Sequence, residues 1–280
     1  MRITKHIVFL SFLAIPVTIF SQNYEELVEQ ALLAAQHDSL LKSESLYKQA
    51  LKINPNDYRN ALAYHNLAHV QEMMYWQNVN DKKMLEEAVY NYSKAIEMQP
   101  ESVPMRFSRG NLNLNMKNYD RAILDYTSII EKDASNVTAL NRRGYSYFQK
   151  RDYDKARQDY EQVLKINPND YPSAMGVALV LQKTNKTREA LTRMDFLIAA
   201  YPDKAELYVV RSSMYEDLNM RELALIDLNR AIELEPKNPQ HYLQRAELYD
   251  KMKKRAQAKN DRRKAQKLIY ITPVAPVNKS

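Results

Sequence analysis

The sequence predicts an all-α chain built of repeated antiparallel helix pairs. Three observations carry this. Pro100, Pro168, Pro202 and Pro236 fall on a 34-residue grid. Within each interval, apolar residues recur at helical spacing in two stretches. A short polar turn, such as "KNYD" (117–120) or "KRDYD" (150–154), splits them. Finally, only 3 Gly and 11 Pro accompany 45% hydrophobic residues in 280, a balance unlike a disordered or turn-rich all-β chain.

The grid orders the rest of the chain. Ala134 occupies the grid point without a proline, and Pro55 precedes Pro100 by 45 residues, which implies an 11-residue insertion. With the proline as position 32, position 8 reads Ala31, Ala68, Gly110, Gly144, Ala178, Ser212 and Ala246. Ala68 is aligned by the placement of the insertion. Position 20 reads Ser43, Ala88, Ala122, Ala156, Ala190, Ala224 and Ala258. Both columns hold only small residues, so two helices can approach closely. Position 24 reads Tyr47, Tyr92, Tyr126, Tyr160, Met194, Leu228 and Arg262, a larger apolar filler broken only in the last unit. The residue before each proline is pushed out of the helical region, which ends the second helix. A following Asn or Asp can cap the next unit, as Asn238 can before Pro239 at the first helical position.

This pattern of small-8, Ala-20, aromatic-24 and Pro-32 over 34 residues resembles the tetratricopeptide repeat family. The resemblance covers about 24–270. It implies an all-α, right-handed α-solenoid in which the first helix of each pair lines a concave groove. The repeats expected are 24–57, 58–102 with the insertion, 103–136, 137–170, 171–204 and 205–238. A capping pair at 239–270, polar at position 24, suits a solvent-facing end.

Position 7 departs from the family, which more often has Leu there. It holds Arg109, Arg143, Arg211 and Arg245, and position 23 of the same four units holds Asp125, Asp159, Asp227 and Asp261. The other three units have Gln30, Leu67 and Val177 at position 7, and Leu46, Asn91 and Arg193 at position 23. Because burying either charge alone costs several kcal/mol, the two types are expected to form structural ion pairs. Pairing within a repeat (Arg143 with Asp159) and across a junction (Asp125 with Arg143) both fit the spacing.

By the same resemblance, positions 2, 5, 9 and 12 of the first helices face the groove. In the middle repeats these include Phe107, Asn111, Leu114, Asn141, Tyr145 and Phe148. Amides can bond a peptide backbone, and aromatics add contact area at low entropic cost. In "NRRGYSY" (141–147), Arg143 has a matching acid, whereas Arg142 has none and is the arginine expected to meet a ligand. Glu206, Glu216, Glu247 and Asp250 make the late groove acidic. Asn66 matches one position of the family's carboxylate clamp, but the paired lysines are missing, so no clamp is expected.

The insertion at 64–88 should lengthen the first helix and its turn. It carries Trp76 beside Tyr75, Met73 and Met74, a partner contact or a longer packed helix. His65 and His69, four apart, are expected to face the groove. "HNLAH" has zinc-protease spacing, but Asn66 stands where the general-base Glu is required. No metal is therefore expected there.

The N-terminus reads as a cleaved secretory signal, 1–21. Arg2, Lys5 and His6 precede Ile7–Phe20, a stretch apolar apart from Ser11 and Thr18 and short for a membrane span. The alternative is an uncleaved anchor. With no cysteine, the lipoprotein route is closed and packing alone must stabilise the exported chain. Segment 251–267 holds nine Lys/Arg and one Asp. Of the formal +7, Arg2 and Lys5 give +2 and this segment +8, so the remainder carries −3. Basicity thus belongs to one terminal helix, and no nucleic-acid partner is expected. The tail 271–280 should be flexible.

No phosphate-cradling Gly loop and no nucleophile constellation occurs, so no cofactor and no enzyme activity are expected. The expected function is a periplasmic or secreted scaffold or assembly factor of the bacterial cell envelope, binding protein or extended peptide in its groove. The alternative is an adaptor that docks on an anionic membrane or polymer through 251–267.

Overall fold

The computed structural model describes residues 19–53, 57–79 and 81–271. These residues form α-helices joined by short turns, with no strand among them. The helices pair as α1 (Ile19–Gln36) with α2 (Leu40–Ile53), and α3 (Ala61–Met74) with α4 (Lys82–Met98). Next come α5 (Val103–Asn115) and α6 (Tyr119–Lys132), then α7 (Val137–Gln149) with α8 (Tyr153–Ile166). The series ends with α9 (Tyr171–Lys183) and α10 (Thr187–Ala200), α11 (Ala205–Asp217) and α12 (Arg221–Leu234), and α13 (Pro239–Lys251) and α14 (Arg255–Ile271). Every expected repeat therefore contains one helix pair. α1 starts ahead of the expected residue 24.

The chain divides into two compact units, Met1–Asp125 and Tyr126–Ser280. In the first, α1 packs on α2, α2 on α3, α3 on α4 and α4 on α5. In the second, the same chain-neighbour packing runs from α7 to α14. The small residues at positions 8 and 20 are buried throughout, as are Tyr47, Tyr92, Tyr126, Tyr160, Met194 and Leu228 at position 24. Burying one such apolar side chain stabilises by about 1.5–3 kcal/mol.

Tyr160 shows why the small residues matter. Its ring is held between two first helices. A Cβ added at Gly144 on α7 would lie 3.0 Å from Tyr160 Cε1, and one at Gly176 on α9 would lie 2.5 Å from Cε2. Only the missing side chains make room for the ring.

The turns inside six of the pairs share a left-handed residue that no glycine announces. Asp38, Lys117, Arg151, Asn185, Asn219 and Lys253 all have φ between 57° and 65°. They occupy position 15 in six of the seven pairs, and none is glycine. The backbone closes with paired bonds of the kind that end helices. In α7, Asp152 N–H donates to the Tyr147 carbonyl (2.9 Å) and Arg151 N–H to that of Phe148 (3.0 Å). Between pairs, Asp57, Asn136, Asp170 and Asn238 accept bonds from the N–H groups of the next helical turn. Asn238 and Pro239 take the expected cap and first-turn places.

The insertion does lengthen its pair. α3 runs on into a π-helical turn, Tyr75–Val79, and α4 begins at Lys82 behind the Asp81 cap. In the last pair, Arg262 at position 24 is exposed and bonded to Asp250. The expected leader, 1–21, lies outside the described residues apart from its last three, which open α1. The tail lies outside them apart from Ile271. Among the described residues no helix is long and apolar enough to cross a membrane.

Candidate functional site: the helix faces and the arginine ladder

The four arginines at position 7 adopt one geometry. Arg109, Arg143, Arg211 and Arg245 each donate Nε and Nη2 to the two oxygens of the aspartate 16 residues later, at 2.6–3.0 Å. The carboxylates of Asp125, Asp159, Asp227 and Asp261 are almost fully buried. The main pairing is therefore within the repeat, first helix to second. The third guanidinium nitrogen reaches the other way. Nη1 donates to Ser93 (3.0 Å), Thr127 (3.1 Å), Asp195 (2.7 Å) and Asn229 (2.7 Å), each 16 residues earlier on the preceding second helix. Each arginine thus ties three helices together. Both pairing alternatives contain part of the answer: the carboxylate is intra-repeat, and the junction is bridged by position 25.

Position 25 carries the signal for this bridge in the sequence. It holds an oxygen acceptor on a short side chain (Ser93, Thr127, Asp195, Asn229) only where an arginine follows. Lys48 and Glu161 precede Leu67 and Val177. The later arginines also lie against tyrosine rings. Arg211 sits 5.8 and 5.7 Å from the centroids of Tyr208 and Tyr215, and Arg245 sits 5.8 Å from those of Tyr242 and Tyr249. Bonding to Asp227 and Asp261 pushes the Arg211 and Arg245 guanidinium pKa values up. Burial pushes the Asp159 carboxyl up, against the pull of Arg143.

The expected groove residues divide into two kinds. Some are committed to the fold. Asn141 Nδ2 donates to Asp170 Oδ1 (3.1 Å), and its Oδ1 accepts from Ser173 Oγ (2.6 Å). Since Asp170 caps α9, the Asn141 amide ties α7 to the start of the next repeat, rather than standing ready for a peptide. Phe148 is partly buried and packs edge-on against Tyr153, centroids 5.6 Å apart. Phe107 and Asn111 are partly buried and engaged with other residues. The others are accessible. Tyr145 is 46% exposed, and Arg142 is exposed with no acid of the described residues in ion-pair reach. The two stand three residues apart on α7, on one helix face.

In the first unit, His65 Nε2 lies 2.9 Å from Ser108 Oγ, and its ring tilts on Tyr92 with centroids 5.3 Å apart. Burial pushes its pKa down. His69 is exposed, yet desolvation by its neighbours also lowers its pKa, as a recessed face would. Glu72 accepts from Tyr92 Oη at 3.3 Å, and burial raises its pKa. No three acidic or imidazole groups among the described residues converge on a metal position. Trp76 is 56% exposed and meets Tyr75 edge-on at 4.8 Å, so the insertion does present an aromatic to solvent.

Two segments match tetratricopeptide repeat models, residues 137–170 and 205–238. No curated protein matches the chain in sequence. Among solved structures, the fold is similar to a tetratricopeptide repeat protein from Parabacteroides merdae. There the TM-score is 0.74 and the identity 22%, over 88% of this chain and 93% of that one. A MamA fragment from Desulfovibrio magneticus RS-1 aligns with TM-score 0.53 and 17% identity, over 62% of this chain and 98% of its own. YrrB, described as a tetratricopeptide repeat protein with an unusual peptide-binding site, aligns with TM-score 0.51 and 20% identity, over 68% and 92%. The repeat matches and the helix-pair fold support a protein-interaction scaffold. The 34-residue grid, the two matching segments and the shared fold lead to one statement: the chain carries tetratricopeptide repeats at 137–170 and 205–238 and has the helix-pair fold of tetratricopeptide repeat proteins.

Proposed function

We propose that the chain is a non-enzymatic scaffold or assembly factor of the bacterial cell envelope, exported by its N-terminal segment. It binds a protein or an extended peptide on the face of its first helices. The observation that carries this reading is the pairing of exposed Tyr145 with unpartnered Arg142 on α7. Their neighbours Asn141, Arg143 and Phe148 are all engaged within the protein. An accessible aromatic beside a free guanidinium suits a peptide with an acidic or carbonyl-rich backbone stretch. That YrrB carries a peptide-binding site on the same fold agrees with this reading.

The test is a pull-down from envelope extracts with the full chain and with Arg142→Ala/Tyr145→Ala. Asn141 is left intact because its amide supports the Asp170 cap. Loss of the same co-purifying proteins from the variant is expected. Equal recovery from both would remove the α7 face from the proposal.

A second reading rests on α14, where Arg255, Lys259, Arg263, Lys264 and Lys267 are all exposed. They would dock the scaffold on an anionic membrane surface. Vesicles of phosphatidylcholine with phosphatidylserine should retain the protein at low salt and release it as salt rises. No retention at low salt would end this reading.

A further inference from the structure

The arginine ladder is interrupted in the repeat 171–204, and the interruption opens a notch. Position 7 there is Val177, buried, and position 23 is Arg193, exposed. Where the four ladder repeats place a guanidinium against their second helix, α8 and α10 leave a cavity of about 400 Å³ above α9. Its walls are Leu164, Val177, Phe196, Leu197 and Tyr201, and Arg193 stands among them. Phe196 is 72% exposed, an unusual exposure for a phenylalanine.

The charges around the notch leave Arg193 without a partner. Asp195 is bonded to Arg211 (2.7 Å), Glu161 to Arg157 (2.7 Å), and Glu206 accepts from the Tyr171 hydroxyl. No acid of the described residues lies within ion-pair distance of Arg193. Every ladder arginine has its carboxylate supplied from within its repeat, and Arg193 alone at a ladder position has none. An apolar pocket with one unneutralised guanidinium at its wall is complementary to an apolar side chain next to a carboxylate.

We infer that this notch on the second-helix side is a binding site for an acidic peptide segment. The segment seats a leucine- or phenylalanine-type side chain against Val177 and Phe196 and places a carboxylate on Arg193. The site is separate from the first-helix face of α7 and does not depend on it.

The experiment measures fluorescence polarisation of a labelled probe peptide, Glu-Asp-Leu-Phe-Asp-Glu, with the full chain at low salt. Val177→Arg/Arg193→Asp rebuilds the ladder pair across the notch, and thermal melting checks that this variant folds. Arg193→Glu is a second variant at an exposed position. Lys237→Glu, in the turn before α13, makes the same charge change at an exposed position elsewhere. The wild type should bind, and both notch variants should lose about tenfold or more in affinity. A probe with Ser in place of Leu and Phe should lose as much. Lys237→Glu should bind nearly as the wild type does. Absence of wild-type binding would overturn the inference. So would binding that survives either notch variant, or that falls equally in Lys237→Glu.

Discussion

The repeats 137–170 and 171–204 are neighbours in one compact unit and share the same helix-pair scaffold, yet they solve the second-helix side differently. In the first, Arg143 bridges Asp159 and Thr127 and fills the space between helices. In the second, Val177 and Arg193 stand at the same two positions and a cavity remains. The close packing of small residues at positions 8 and 20 is common to both, with Gly144 and Ala156 matched by Ala178 and Ala190. The scaffold is therefore set by side-chain size, while the ladder is a separate polar layer. A repeat can lose that layer without losing its place in the stack, and what it gains is an accessible pocket.

The comparison can be broken most severely at the ladder. Arg143→Ala strips the partner from a buried carboxylate and should cost about 3 kcal/mol at neutral pH, the low end for such a loss. The cost should shrink on acidification. Burial raises the Asp159 pKa in the folded chain. A carboxyl raised above its unfolded value of about 3.9 favours folding at low pH and loses that contribution as pH rises through the folded value. Denaturant melts of wild type and variant at pH 7 and pH 4.5 check this. A gap that does not narrow at the lower pH would contradict it. Asp159→Asn keeps the shape and part of the bonding and should cost less, about 1–3 kcal/mol.

The next effect sharpens the two sides of Tyr160. Gly176→Ala brings a methyl to 2.5 Å from a buried ring and should destabilise by about 1–3 kcal/mol. At Gly144 the contact is 3.0 Å. There the helix-propensity gain of Ala, about 1 kcal/mol, offsets the crowding and leaves the melt nearly unchanged. Equal losses at both sites would show that the ring is not pinned more tightly by α9.

The smallest effect compares the turns. Arg151 and Asn185 hold left-handed φ values of 65° and 60°. Asn tolerates that region better than Arg. Arg151→Gly should therefore stabilise by about 0.5–1 kcal/mol, and Asn185→Gly by less. A melt in which Arg151→Gly loses stability would place some other role on that side chain.

Much of the fold was legible because it rests on volume. A ring at position 24 needs small residues at 8 and 20, so the requirement repeats as a visible column. The Arg–Asp coupling was also legible, because a buried charge cannot appear alone. Its geometry was not, since Ser93, Thr127, Asp195 and Asn229 share an oxygen acceptor rather than an identity. The left-handed turns were hidden because Lys117, Arg151 and Lys253 occupy positions where glycine would have announced them. The register of Asn141 points to the groove. Its amide turns toward Asp170 and Ser173, a contact 29 to 32 residues away that spacing alone does not reveal. The notch was invisible for a similar reason, since it depends on how Val177 and Arg193 stand on two helices at once.

The central claim is that the ladder arginines are structural ties and that Arg193 is the one guanidinium at a ladder position, among the described residues, with no carboxylate. A double-mutant cycle on Arg143 and Asp159, read by denaturant melting at neutral pH, tests it most directly. The two single variants and the double variant to alanine should give a coupling of at least about 1 kcal/mol, the double variant being milder than the sum of the singles. Additivity within about 0.5 kcal/mol would show that the two side chains do not sustain one another, and the ladder would no longer account for the fold.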